Sequence, residues 1–413
     1  MSDSTESDAE RGSTDTDTTR REVLSAVGGV SMVAPLATST NVNRGGDNPA
    51  SDRVEYVERL KHTNPVEVRR DGAAPERTQV TDTVSRDHWL VVETAHDARD
   101  RVQELIEQHT TDPLVMTGVT TITDGGQSKK AVTVDRTVQK GADSESSPDV
   151  ELDELKGIVP DTVAGSVDGT TIDGIPVITR ERTEQKTNEC DGYSFSGNYE
   201  EQIPGGSKYQ TESCGSCTFG TAATDDETGN GRMITTGHCL NKNEVVRQPD
   251  CHGAEDGVTV QSSDTGKRDF ASVTVPTTKS GEKLYYRQLA DYNGTYHLGR
   301  IVRGIITESS LRYHEGDESY QIGKHGARTG RQYGYIKNIK TNSSGHRTVY
   351  TTSTTGVGDS GGPYYKEYQQ TARIFETYIV GISAWGVGGD DCPYPESAGN
   401  TMEYVEEELG VTV

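Results

Sequence analysis

The segment Gly356-Val357-Gly358-Asp359-Ser360-Gly361-Gly362-Pro363 constrains this chain more than any other stretch. Its glycines permit backbone conformations that side chains forbid, and they place Ser360 on a tight turn. Glycine at 358 lets the backbone turn its N–H inward. The amides of Gly358 and Ser360 can then converge on one point, the arrangement that stabilises an oxyanion. A glycine-rich loop also suits phosphate. Here no Lys-Ser/Thr follows, and the loop runs into Tyr364-Tyr365 and a strand-like stretch rather than a helix. Phosphate binding is therefore disfavoured.

Two further motifs lie upstream. Thr235-Thr236-Gly237-His238-Cys239 follows the apolar Met233-Ile234, and a His beside a Cys is by itself ordinarily structural. Arg268-Asp269-Phe270-Ala271-Ser272-Val273 opens an alternating run with an Asp, a residue in which this chain abounds. Neither is specific alone. Taken in order, with separations of 31 and 91 residues, the three motifs resemble those of the chymotrypsin-type serine proteases, and within them the secreted bacterial streptogrisin and α-lytic protease group. Ile203-Pro204-Gly205-Gly206 resembles the start of such mature chains, and Cys217-Thr218-Phe219-Gly220 their Cys-containing first strand. Lys324-His325-Gly326-Ala327-Arg328-Thr329-Gly330, then Gly334-Tyr335-Ile336, resembles the segment before the serine. Ile382-Ser383-Ala384-Trp385-Gly386 resembles the strand that binds extended substrate, and Gly399–Val413 the C-terminal helix and tail. The resemblance covers about 203–413 and none of 1–190.

The resemblance implies an all-β protease domain over 201–413, built from two six-stranded antiparallel barrels with a C-terminal helix. His238 and Asp269 would come from the first barrel and Ser360 from the second. It implies Ser360 as nucleophile, His238 as the base that takes its proton, and Asp269 as the group holding the His tautomer. Asp359 is expected to be buried beside the nucleophile and paired with a cation, with Arg328 as the expected partner. Thr354, Thr355 and Gly386 would help line the primary pocket, with Ala384 and Trp385 on the substrate strand. None of these is charged, so a neutral pocket for medium or large apolar side chains is expected. A Cys217–Cys239 disulfide fits the family. Two departures stand out. Gly323 and Tyr333 occupy positions where the family carries a disulfide, and Thr354 stands where it carries a Cys. Cys190, Cys214, Cys251 and Cys392 then allow three pairings.

A metal is the rival use of these cysteines. Cys214-x-x-Cys217, His238-Cys239 and Cys251-His252 offer nitrogen and sulfur ligands. The second half-site lacks matching spacing, and export favours disulfides over thiolates. No metal or other cofactor is expected. Asn293-Gly-Thr295 and Asn342-Ser-Ser344 fit the glycosylation pattern, which is common by chance.

Composition bounds the rest. The chain has 413 residues, room for two domains, and a net charge of −24. Nucleic-acid binding needs a basic face and is excluded as a general role. Only two of the 25 Phe, Trp and Tyr residues, Tyr56 and Trp89, precede residue 190, and all six cysteines lie from Cys190 onward. A boundary near 190–200 follows. With 31% hydrophobic residues, the chain reads either as disordered or as a fold adapted to high salt, where screening lets a carboxylate-rich surface stay compact. The aromatic content favours the second reading for the C-terminal half.

The N-terminus reads as an address. Arg20-Arg21 precedes an apolar, small-residue run from Ala26 to Ala37, which resembles a twin-arginine export signal over 1–40. That run is too short for a stable membrane span, and no later stretch has eighteen apolar residues. Residues 41–200 are expected to be a pro-region or accessory domain of α+β character. Val54–Leu60 and Ala95–His109 read as helical, and Leu114–Thr123 and Lys130–Val138 as strands. Asp143–Pro148 reads as a linker, and Leu155–Val177 as short strands joined by turns. His62, His88, His96 and His109 are expected to be structural or solvated. The resulting expectation is a secreted, monomeric, salt-adapted serine endopeptidase acting on proteins or peptides. The alternatives are a protease-like protein that only binds, or an exported zinc-bound module.

Overall fold

The computed structural model describes residues 52–413 apart from 72, 141–144, 186–202, 214, 249–251, 275–284, 291–295, 372–374 and 389–391. The 1–40 signal segment, Cys190, Cys214, Cys251 and the Asn293 sequon lie outside the described residues. So does most of the 185–205 stretch in which a pro-region would end.

The first part is α+β. β1 (Arg53–His62) and β2 (Arg77–Ser85) pair antiparallel around the short α1 (Pro65–Asp71). α2 (Arg86–Glu107) starts where the Ser85 hydroxyl accepts the His88 amide at 3.2 Å. On its inner face Ala98, Val102 and Ile106 pack on the hairpin of β3 (Val115–Asp124) and β4 (Gln127–Lys140), and Val92 packs with Tyr56 and Tyr313. After β5 (Glu145–Ser146) and α3 (Leu152–Ile158), β6 (Thr162–Val167) and β7 (Thr170–Gln185) form a second hairpin. Asp168 and Gly169, both at positive φ, make its tight turn. β7 runs parallel to β4 along nine residues.

Four expectations are corrected here. Val54–Leu60 is strand, not helix. Its inward positions are Tyr56 and Glu58, and a buried Glu breaks the apolar alternation that would have marked a strand. The Tyr368 hydroxyl, 2.5 Å away, makes that burial tolerable. The Ala95–His109 helix begins nine residues earlier, at Arg86, because the Ser85 cap sits there. Leu155–Val177 opens with a helix, and the linker contains the two-residue β5. The histidines serve structure. His62 Nε2 donates to the Val413 carbonyl at 2.8 Å, and His88 Nε2 to that of Tyr313 at 3.2 Å.

The C-terminal part holds two closed barrels. β8 (Ile203–Gly205) leads into β9 (Lys208–Thr211), β10 (Ser216–Thr218), β11 (Thr221–Asp225), β12 (Gly231–Thr235), β13 (Val245–Gln248), β14 (Ala254–Thr265) and β15 (Arg268–Thr274). β10 and β11 are two arms of one bent strand. The ring β9–β13–β14–β15–β12–β11/β10–β9 therefore closes with six antiparallel members. β16 (Tyr285–Ala290), β17 (Tyr296–Ile306) and α4 (Glu308–Tyr313) connect the barrels. β18 (Gln321–Gly326), β19 (Gly330–Asn342), β20 (Arg347–Thr351), β21 (Pro363–Gln369), β22 (Phe375–Val387) and β23 (Glu396–Thr401) close the second ring, each pairing antiparallel. α5 (Met402–Leu409) ends at Gly410, at φ 62°, and β24 (Val411–Thr412) returns to pair with β11. This is the chymotrypsin-like double barrel. Met402, Val405 and Leu409 of α5 share a core with Ile234 and Phe270 of the first barrel and Ile382 of the second.

Residues 52–185 are joined to the second barrel by strand pairing rather than standing apart. β1 pairs with β17, β3 with β19, and the end of β7 with the end of β22. Residues 52–413 form one compact unit.

The approach of β6 to α2 is testable. A Cβ at Gly165 would run into the Thr94 carbonyl of α2. Gly165→Val should lower stability by about 1–3 kcal/mol, read from thermal unfolding, because neither backbone can retreat.

Candidate active site

His238 sits just past the end of β12, a central strand held between β11 and β15. Gly237 before it is packed so closely that a Cβ there would run into the Ser263 carbonyl, so no side chain fits. The His238 amide donates to Asp269 Oδ1 at 2.9 Å, and its ring Nδ1 lies 2.7 Å from Asp269 Oδ2. A proton on Nδ1 is fixed by that carboxylate, which leaves Nε2 as the acceptor of the ring. Asp269, the second residue of β15, is fully buried. Its amide donates to the Asn400 side chain at 3.1 Å, and Asn400 in turn donates to the Lys267 carbonyl at 2.7 Å. Asn400 belongs to β23, so the second barrel orients the acid of the first. Sequence motifs gave no sign of Asn400.

The Ser360 turn comes from the second barrel and is tied to the first through one residue. The Thr218 amide donates to the Ser360 carbonyl at 2.8 Å, and its hydroxyl to the Gly358 carbonyl at 2.6 Å. Gly358 and Gly361 take φ of 93° and 92°, which only glycine adopts without strain. The amides of Asp359, Gly361 and Gly362 are committed to the carbonyls of Gly356, Ser383 and Asp359. Among the described residues the amides of Gly358 and Ser360 have no protein acceptor, nor does the Ser360 hydroxyl donate to one. Ser360 lines a cleft, and its turn is linked through Thr218 and the neighbouring Cys217–Cys239 disulfide to the strand end that carries His238.

Asp359 is fully buried under this turn. Its Oδ1 accepts the amides of Arg328 (2.8 Å) and Thr329 (2.9 Å), and its Oδ2 accepts Lys324 Nζ (2.7 Å), the Thr329 hydroxyl (2.6 Å) and the Gly356 amide (2.9 Å). The expected ion pair with Arg328 is corrected. Arg328 gives only its backbone, and the cation is Lys324, whose position on β18 points its side chain inward at 0% exposure. Burial alone would push the Asp359 carboxyl up, but the Lys324 ammonium and the Thr329 donors hold it below the usual carboxylate range.

The cleft at Ser360 has a free volume of only about 10 Å³, room for about one water. Thr355, Gly356 and Val357 line one side, and Ala384, Trp385 and Gly386 of β22 the other. Thr354 does not line it. Two lining residues carry no sequence signal. Tyr394 pairs its backbone with Thr355, N to O at 2.7 and 3.0 Å, and covers Gly386. Gln185 enters from β7, where Gln185 pairs with Gly386 and Glu184 with Val387 in antiparallel register.

Cys217 and Cys239 form a disulfide with Cα atoms 6.4 Å apart, which links Thr218's neighbour to His238's neighbour. Cys392 is also disulfide-bonded. Cys217, His238 and Cys239 lie within 4.8 Å of one another. With both sulfurs in the disulfide, the cluster lacks the thiolates that zinc requires. No described helix is long and apolar enough to cross a membrane.

No family model matches the chain, and no curated protein does. Among solved structures, the Nocardiopsis protease (NAPase) is 22% identical over 51% of this chain and 98% of its own, with a TM-score of 0.37. An alpha-lytic protease homolog, N4, is 17% identical over the same shares, with a TM-score of 0.33. The fold assigned above stands on the chain's own strand pairings.

The Asp359 pair gives a second prediction. Lys324→Met strands a buried carboxylate and should cost about 3–5 kcal/mol at pH 7. Because the folded pKa of Asp359 lies below its unfolded value, its contribution is complete above about pH 4 and fades only as pH falls further. Removing Lys324 raises that pKa, so the gap between variant and parent should narrow on acidification. Chemical denaturation at pH 7 and at pH 4 checks both.

Proposed function

We propose that this chain is an exported, salt-adapted serine endopeptidase that cuts peptide bonds through an acyl-enzyme. In this reading Ser360 Oγ attacks the carbonyl carbon. His238 Nε2 takes the hydroxyl proton and later passes it to the leaving amine. Asp269 holds the ring and stabilises the imidazolium. The amides of Gly358 and Ser360 stabilise the oxyanion. The observation that carries the reading is the 2.7 Å contact between His238 Nδ1 and a fully buried Asp269, linked through Cys239–Cys217 and Thr218 to a serine turn whose two candidate amides are uncommitted. The double barrel supports it at the level of fold.

The cleft supports a neutral substrate side chain, since Thr355, Val357, Ala384 and Tyr394 bring no charge to it. The position of β7 is what supports the pro-region reading of residues 41–200 over an accessory domain retained in the mature protein. Its last described residues lie along β22, where an extended substrate would add a strand. The segment would then act as a folding template that also covers the cleft until cleavage between about 185 and 205. Twin-arginine export and a monomeric, extracellular protease complete the reading, supported by Arg20-Arg21 and by the disulfide. A binding-only descendant remains the second reading, supported by the filled cleft.

Ser360→Ala should reduce peptide turnover by about 10³-fold or more and abolish labelling by a fluorophosphonate probe. Parent-like turnover in the variant would refute the assignment. The salt reading is checked by melting temperature across a salt series. Charge repulsion in a chain of −24 should make the protein melt lower in dilute buffer, where the screening length reaches about 30 Å at 0.01 M, than in molar salt.

A further inference from the structure

We propose that Lys267, Tyr350 and Trp385 form a subsite for an acidic side chain of an extended substrate, and that Glu184 of the chain itself now fills it. The proposal rests on the peptidase reading above and deepens it by naming a substrate feature. Gln185 lies at the cleft of Ser360, and Glu184 is its neighbour one position outward, opposite Val387. The Glu184 carboxylate contacts Lys267 Nζ through Oε2 and accepts the Tyr350 hydroxyl at 2.7 Å through Oε1. Lys267 Nζ also lies 3.4 Å from that hydroxyl and 4.8 Å from the centre of the Trp385 ring. None of these four side chains is more than 1% exposed.

All three receptor groups belong to the barrels. Lys267 sits at the turn before β15, Tyr350 on β20 and Trp385 on β22. The ligand alone comes from the segment that would be removed. Strand addition to β22 places any peptide's side chain at this position, whatever its identity, whereas the contacts made here are specific to a carboxylate. The surroundings lean the same way. Lys340 of β19 is buried, lies 4.5 Å from the Tyr350 ring, and pairs with Asp135 of β4. On this face the barrels supply two lysines and residues 52–185 supply the two carboxylates that meet them. Trp385 and Tyr350 flank the ammonium with ring faces, which favour a cation and exclude water. An acidic side chain of a substrate strand would take the place of Glu184.

The test uses the active species that the full chain yields. Peptide sets identical except for Glu, Gln or Lys at one position before the cut bond are compared. At one position Glu should exceed Gln by about tenfold in kcat/KM, mainly through KM, with Lys below both and the ratio shrinking in molar salt. K267M should bring the Glu-to-Gln ratio to near one, and Y350F, which keeps the ring, should lower it. A ratio of one at every position in the parent, or a ratio that both variants leave intact, overturns the subsite. Should K267M fail to accumulate, an unchanged ratio in Y350F overturns it alone. Binding is read separately in the full chain carrying W89F, S360A and E184Q, in which Trp385 is the sole tryptophan, through its emission. The Glu peptide should act at lower concentration than the Gln peptide, and equal concentrations overturn the subsite whether or not the protein is a peptidase. A surviving binding difference with no hydrolysis in the parent sustains the subsite and sinks the peptidase reading.

Discussion

A carboxylate with no access to water governs the shape of this site. Asp359 has left bulk solvent entirely, and an ionised group there is tolerable only if nearly every lone pair is met. Lys324, Thr329 and three backbone amides meet them. Those donors come from β18, from the turn after it and from the start of the serine loop, so satisfying one side chain fixes three segments at once. Ser360 is the next residue and inherits that rigidity. The cation that meets Asp359, Lys324, is supplied from within the fold by β18.

Beyond their shared core, the two barrels are tied near the site by a few polar groups and one disulfide. Thr218 bonds the serine turn by both amide and hydroxyl, and Cys217 beside it is linked to Cys239 beside His238. A path of a few residues therefore joins Ser360 to His238 without relying on the distant core. Asn400 does the reverse, reaching from β23 to orient Asp269. Placement of this kind favours precision over strength, since each bond is worth only about 1 kcal/mol net.

What could be read from the sequence follows from how local each signal is. The positive-φ positions at Gly358 and Gly361 were legible because only glycine serves there. The barrels and the Cys217–Cys239 pairing were legible through resemblance rather than through periodicity. Lys324 was not, because a lysine in a strand ordinarily faces water and nothing local marks it as inward. Arg328 was the wrong choice for the same reason: cation identity depends on which residue the strand turns inward. Glu58 hid β1 by putting charge where apolar residues were sought. Asn400, Tyr394 and Gln185 meet the site across separations that no motif spans. Nothing in the sequence of β7 announced that it would end on β22.

The seam between residues 52–185 and the barrels is unusually charged for a buried surface. Lys61 meets Glu376, Arg77 meets Glu406, Asp135 meets Lys340 and Glu184 meets Lys267. Arg180 and Arg182 also converge on Asp135. Apolar residues of equal volume would hold such a seam at least as well, because the desolvation of each buried pair offsets much of its attraction. The two kinds of seam differ in what remains after separation. Parted apolar faces stay sticky in water, and more so in brine, which strengthens apolar association. Parted charges rehydrate, and salt screens them as they do so. Under the proposed reading of residues 41–200 as a pro-region shed in salt, a seam of carboxylates and cations serves better than one of leucines, and the seam has that composition where β7 and β4 lie against the second barrel.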